Sequence, residues 1–304
     1  PASAVDESYA RLLRGNGLHP YRLHVGIGYR PGCTECGGYK CPWRCKSDAQ
    51  TIFVDPALAT GKAKLLAGCE VLRIDAGPER VEGVTVRCDG VVKQLRARAV
   101  VLAAGAYQSP ALLLRSANTH WPTGLANRSD MVGRNLMFHA NEWIAVWPRE
   151  PCSTAGPRKT LGFRDHYVRQ GTRLGSVQST GLTASFGNIG MFLIGALERT
   201  PVRWLPGWRL AVKLTSRIAV RLFGKATIFV MLVEDVGYPD NRITLDPNQP
   251  TRLKVRYSIE PRLRERARHA RRALKHSFRG TRRLTLQRDV QLNLAHACGT
   301  CRFG

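Results

Sequence analysis

Apolar positions recur along this chain with two periods, and each marks a different kind of element. Val84, Val86 and Cys88 alternate with Thr85 and Arg87, the period of a half-buried strand. Asp89-Gly90 follows as a two-residue hairpin turn. Residues 64–75, 80–88 and 91–97 therefore predict a three-stranded meander. Residues 143–147, 226–233 and 253–257 also read as strands, the second of them buried. Residues 182–197 are mixed apolar and Gly-containing. The helical period appears in Leu263, Ala267, Ala270, Leu274 and Phe278, whose opposite face is mostly Arg and Lys. It recurs over residues 204–223, where Trp204, Trp208, Leu210, Leu214, Ile218 and Leu222 stand beside Arg203, Arg209, Lys213, Arg217 and Arg221. Short helices are expected over residues 7–14, with Asp6 as cap and Gly15 as stop, and from Asp55-Pro56 onward.

Residues 98–116 join both periods. The run 99–102 is apolar, β-branched and short, so it predicts a buried strand. Ala103-Ala104-Gly105 lets another group approach the backbone closely. Ser109-Pro110 predicts an N-cap followed by proline at the first helical position, with Leu112 to Leu114 as the buried side. Strand, small-residue turn and helix form the arrangement that receives ligands at the carboxyl edge of open α/β sheets, and it is also an ordinary βα turn.

Gly105-Ala106-x-x-Ser109-Pro110-x-Leu112-Leu113-x-x-Ser116 resembles a signature of the glucose–methanol–choline (GMC) flavin oxidoreductases, with Ala117 where the family usually has Gly. His296-Ala297-Cys298-Gly299-Thr300-Cys301-Arg302-Phe303-Gly304 is similar to a second family motif, with Phe303 in place of Met. Val132-Gly133-Arg134-Asn135-Leu136 lies between them in the expected order. The resemblance implies a mixed α/β fold, a partial GMC-type FAD-binding domain with an inserted substrate domain of β-sheet and helices. Its implied divisions are a cysteine-rich junction at 1–45, the FAD-binding domain at 46–140, the substrate domain at 141–288 and a return to the FAD domain at 289–304.

FAD is the implied cofactor. By resemblance the backbone at Val71 meets the adenine, its side chain remaining in the core. Ala103, Ala104, Gly105, Ala106 and Ser109 lie against the ADP half. His296 matches the family's catalytic histidine, and imidazole, which titrates close to neutral pH, suits a base that takes a hydroxyl proton as hydride leaves. His139 reads as structural. The expected reaction is oxidation of a CH–OH group of a small alcohol or sugar, a dehydrogenase being preferred to an oxidase. A non-catalytic relative is the alternative within the family.

Cys33, Cys36, Cys41 and Cys45 crowd one short stretch. Close thiolates of this kind can wrap an iron–sulfur cluster or zinc, and disulfides or reduced structural thiols are the competing readings. An electron-acceptor subunit would suit the first of these. The formal net charge of +25 would also suit nucleic acid or a membrane surface, but the basic residues are spread along the chain with no aromatic platform between them. Nucleic acid is therefore not the expected partner. The segment 204–223 has the composition of a membrane-surface helix, yet a helix of the substrate domain or of a subunit contact is preferred. The most apolar run is too short to span a bilayer. A cytoplasmic or peripheral-membrane location is expected rather than secretion. The chain opens at Pro1 and stops immediately after Gly304 of a motif, so it reads as an internal piece that lacks the first dinucleotide-binding unit and the second acid–base residue, and that turns nothing over by itself.

Overall fold

The structure, a computed structural model, describes residues 3–33, 41–150, 152–153, 156–157, 159–169, 171–182, 186–198 and 200–302. In chain order the elements begin with α1 (Ala4–Gly15), β1 (Tyr21–Arg22), α2 (Asp55–Ala59), β2 (Cys69–Ala76), β3 (Val81–Cys88) and β4 (Val91–Arg96). They continue with α3 (Gly105–Arg115), β5 (Met137–Val146), β6 (Leu161–Phe163), β7 (Val168–Arg169), β8 (Thr172–Arg173) and β9 (Gly175–Ser179). After α4 (Phe186–Leu197) and α5 (Trp208–Phe223) come β10 (Thr227–Val233), β11 (Arg242–Leu245) and β12 (Leu253–Arg256). The last are α6 (Pro261–Ser277), β13 (Arg283–Thr285) and β14 (Gln291–Cys298). The fold is mixed α/β.

Two compact units share these elements, one of Pro1–Phe53, Asn141–Val233 and Arg264–Gln291, the other of Val54–Ala140, Glu234–Leu263 and Leu292–Gly304. The division expected near residue 45 does not coincide with a unit boundary. Residues 234–263, expected in the substrate region, group with the second unit.

In the first unit, β1, β6, β9, β10, β5 and β13 follow one another in one sheet. β9 and β10 pair antiparallel from Gly175↔Val233 to Ser179↔Phe229. A Cβ at Gly175 would collide with the Leu232 carbonyl, so this close approach admits only glycine. Tyr9, Phe163, Phe229 and Phe278 form the aromatic core; the Tyr9 and Phe229 rings meet edge-on at 5.3 Å. The buried Tyr9 hydroxyl donates to Val146 O at 2.7 Å. The cap of α1 is Ser3, whose Oγ accepts from Asp6 N at 3.3 Å. Asp6 itself is buried and accepts from Thr160, which corrects the expected cap. Within the stretch read as mixed, Phe186–Leu197 is a helix, α4, and α5, whose Val212 and Ser216 are buried, packs against it.

The second unit contains the expected meander. β2 pairs with β3, and β3 with β4, both antiparallel. Asp89 and Gly90 both have positive φ, 50° and 81°, as a two-residue hairpin turn demands. Residues 64–67 stay outside β2. Cys69 and Cys88 face each other in register and are joined as a disulfide. Burial opposes ionisation of Asp75, but hydrogen bonds from Arg73, Thr85 and Gln94 hold its carboxyl below the usual range. α3 packs on β2 and β11. Residues 99–102 run into α3 without forming a strand, and Val101 is 88% exposed. The buried-strand expectation fails there because no described strand lies alongside to hydrogen-bond the segment. The helix begun near Asp55 has Val54, not Asp55, at its cap position, and a π-helical turn over Gln50–Val54 precedes it.

One buried ion pair offers a test of the first unit. Arg271 meets Glu142 bidentately, Nε to Oε2 at 2.7 Å and Nη2 to Oε1 at 2.9 Å, while Glu142 is fully enclosed. Burial pushes the Glu142 carboxyl up and Arg271 opposes the rise. Arg271→Leu should cost about 3–5 kcal/mol in chemical denaturation, because it strands a carboxylate in the interior. Glu142→Gln in the Arg271→Leu background should recover part of that loss.

Candidate active site

The site is best built from one missing hydrogen bond. α3 begins at Gly105, where φ is +72°, one turn earlier than Ser109-Pro110 suggests. Ser109 is thus not an N-cap; it and Pro110 are buried inside the helix. Pro110 has no N–H to give the carbonyl four residues back, that of Ala106. The hydroxyl of Thr300, from the second motif, donates to Ala106 O at 2.7 Å instead. Tyr107 adds another tie, its hydroxyl donating to Leu294 O at 3.0 Å.

The middle motif is bound to the same place. Gly133 N donates to Thr300 O at 2.8 Å, Ile243 N to Gly133 O at 2.8 Å, and Leu136 N to Asn241 O at 2.8 Å. Gly133 and Gly299 both have positive φ, 84° and 90°. A Cβ on Gly133 would collide with Ile243 O, and one on Gly299 with Asn135 O. Leu136, Phe138 and Ile243 form the buried cluster beneath, with Tyr107, Tyr257 and Ala297 packed on it.

These ties deliver two imidazoles to each other. β14 pairs with β5, and His139 Nδ1 lies 3.1 Å from His296 Nδ1, the rings edge-on at 5.2 Å. His296 is exposed, whereas His139 is half-buried. Burial, then the neighbouring His296, holds the His139 pKa below its ordinary value. Asp235 lies close by, with Oδ2 accepting from the Tyr257 hydroxyl at 2.6 Å and from Phe138 N at 3.4 Å. Burial and then the Asp235 carboxylate push the Tyr257 hydroxyl far up, so it stays a donor. Burial also raises the Cys298 and Cys301 thiols, which are free and not joined to each other.

Of the residues expected to meet a cofactor, Val71, Ala103 and Ala104 line one cleft of about 600 Å³ with Val84, Gln108 and Arg115. The Val71 side chain is 36% exposed in that cleft, which corrects its placement in the core; it sits on the outer face of β2. Gly105, Ala106 and Ser109 do not line it. Gly105 faces open space where a Cβ would stand, Ala106 lends its carbonyl to Thr300, and Ser109 is buried in the helix. The cleft's volume and its apolar floor with polar edges fit the adenosine half of FAD.

The cysteine set is described only in part. Among the described residues no three His, Cys, Asp or Glu side chains converge as a metal-ion group. Cys36 lies outside the described residues. Cys41 and Cys45 are buried, and Cys41 Sγ accepts from Cys45 N at 3.3 Å, so the sulfur is engaged within its own turn. Burial and the adjoining Cys41 push the Cys45 thiol up.

Sequence reasoning read His139 as structural and gave Tyr107, Asp235 and Tyr257 no role. Only Tyr107 lies next to a motif residue. Pro110, once placed inside a helix, was the available signal that an outside donor must reach Ala106.

Residues 27–141 match the family model described as GMC oxidoreductase. Paromamine 6'-oxidase of Streptomyces fradiae is 34% identical over 187 residues, which is 55% of this chain and 35% of that protein. The fructose dehydrogenase large subunit of Gluconobacter japonicus is 31% identical over 131 residues, 42% of this chain and 24% of that protein. The matches therefore span about a third or less of the curated relatives. The crystal structure of pyridoxine 4-oxidase from Mesorbium loti has the same fold at a TM-score of 0.59 and 20% identity, covering 99% of this chain and 60% of that one.

Two outcomes follow from the geometry. Thr300→Val should cost about 1–3 kcal/mol by leaving the Ala106 carbonyl unpaired. In a Pro110→Ala background the cost should shrink, since the new alanine supplies the N–H; a denaturant-based double-mutant cycle measures the coupling. For His139 the folded chain binds fewer protons than the unfolded one at pH values between its depressed pKa and 6.5. Its influence on stability is absent above that window and becomes unfavourable as pH falls through it. His139→Phe should flatten the pH dependence of the melting temperature in that range.

Proposed function

We propose, on the premise that this chain belongs to the GMC oxidoreductase family, that it serves an FAD-dependent oxidation of a CH–OH group to a carbonyl. FAD, when bound, supplies the acceptor for the hydride that leaves the carbinol carbon. Val71, Ala103 and Ala104 would hold its adenosine half in their cleft. The hydroxyl proton goes to His296.

The observation that carries this reading is the contact between the two imidazoles. Two neutral rings joined through their Nδ1 atoms have one donor and one acceptor. When His296 donates from Nδ1, its Nε2 carries the lone pair and can accept the substrate proton. His139 then serves as the hydrogen-bond acceptor that fixes this tautomer. Its depressed pKa keeps it neutral, and so able to accept, at neutral pH. After proton uptake His296 is an imidazolium whose Nδ1–H still has His139 to donate to. His139 is a positioning residue in this scheme, and His296 the base.

The relatives' printed names carry both "oxidase" and "dehydrogenase", and the proposal covers either acceptor. Paromamine and fructose, in those names, support a sugar-like alcohol as the substrate class. Protein from the complete reading frame should be yellow, with flavin absorbance that bleaches anaerobically when alcohols or sugars are added. His296→Ala should keep the flavin and lower kcat by about 10²- to 10⁴-fold. His139→Phe should lower kcat less and change the acid limb of kcat/KM, whereas a purely structural role would leave that limb in place. Colourless protein, or full turnover by His296→Ala, would overturn the assignment.

A further inference from the structure

The outer face of α5 carries a repeat that the proposed oxidation does not use. A basic residue is followed directly by an aliphatic one at every fourth position: Arg209-Leu210, Lys213-Leu214, Arg217-Ile218 and Arg221-Leu222. In a helix this spacing lays a cationic row beside an apolar row along the whole element, about 24 Å at 1.5 Å per residue. All eight side chains are exposed, Leu210 at 62% and Ile218 at 61%. The inner face is already engaged: Val212 and Ser216 are buried, and Phe223 packs on Trp147 at 5.4 Å. Trp204 and Leu205, just before α5, are exposed as well, and Met191 of α4 is 76% exposed.

We infer that this face docks on an anionic bilayer surface, with α5 lying in the plane of the interface. Charge selects that occupant. Between Thr200 and Val233 the sequence has no Asp or Glu, while Arg203, Arg209, Lys213, Arg217, Arg221 and Lys225 are all basic. Of the α5 cations, Arg209 has an acidic neighbour, Glu198, at 3.8 Å. A second copy of the same face would bring like-charged rows together. A headgroup layer instead offers phosphate to the cationic row and acyl chain to the row beside it. Long Arg and Lys stems allow both at once, because the head can rise while the aliphatic residue sinks. Trp204, with the Arg203 guanidinium 4.4 Å above its ring, suits the same boundary. No helix among the described residues is long and apolar enough to cross a membrane, so the mode is surface attachment.

The test is vesicle flotation of the full chain. Vesicles of phosphatidylcholine with about 30% phosphatidylglycerol should carry the protein, while pure phosphatidylcholine should carry roughly tenfold less. Raising salt to about 0.5 M should weaken the anionic binding. Leu214→Glu with Ile218→Glu should reduce partitioning by about tenfold or more, with an unchanged far-ultraviolet circular dichroism spectrum. Lys213→Gln with Arg217→Gln, which leaves the apolar row intact, should weaken both the anionic binding and its salt dependence. Absence of binding to anionic vesicles, or undiminished binding by both variants, would overturn the inference. So would self-association in analytical ultracentrifugation that the glutamate pair abolishes, since the face would then join copies of this chain.

Discussion

The hydroxyl of Thr300 on the carbonyl of Ala106 is the contact from which the rest of the second unit takes its position. Pro110 breaks the hydrogen-bond ladder of α3 at that half-buried carbonyl, and leaving it bare would carry a cost. Thr300 satisfies it with its side chain while its own backbone oxygen receives Gly133 N. One residue thus ties three segments that are far apart in sequence. Glycines at 133 and 299 make the approach feasible, because any side chain there would strike a carbonyl. The histidine of each flanking strand then comes to its partner as a consequence of backbone placement.

The arrangement also separates structural acids from surface bases. Glu142, Asp75 and Asp235 each carry internal hydrogen bonds, from Arg271, from Arg73, Thr85 and Gln94, and from Tyr257. Carboxylates spent in this way do little to neutralise the exterior. The positive balance itself comes from 47 Lys and Arg against 22 Asp and Glu, and on α5 it coincides with exposed aliphatic side chains. An excess of arginine that looks diffuse along the sequence becomes a patterned face once a helix imposes its pitch.

Local order was legible wherever the decisive interactions are local. The alternation around Val84 and Val86 and the Asp89-Gly90 turn predicted β3, β4 and their hairpin, since a period of two and a pair of positive φ angles are properties of neighbouring residues. The steps from Leu263 to Phe278 predicted α6 in the same way. The run 99–102 failed as a strand because a strand exists only against a neighbour. Ser109-Pro110 misplaced the start of α3, since a proline within a helix and one that opens it look alike until something else supplies the missing donor.

By itself, then, the sequence determined the mixed α/β class, the turns and helical faces, and the three motifs that carry the family resemblance. Each depends on spacing along the chain, which a pattern of residue types records directly. The tertiary structure decided that Thr300 completes α3, that Val71 faces a cleft, that Cys69 meets Cys88, and that His139 touches His296. Those four are pairings between distant positions or choices between inside and outside. No residue type encodes its partner, so such choices are made only when the chain packs and every buried polar group must find one.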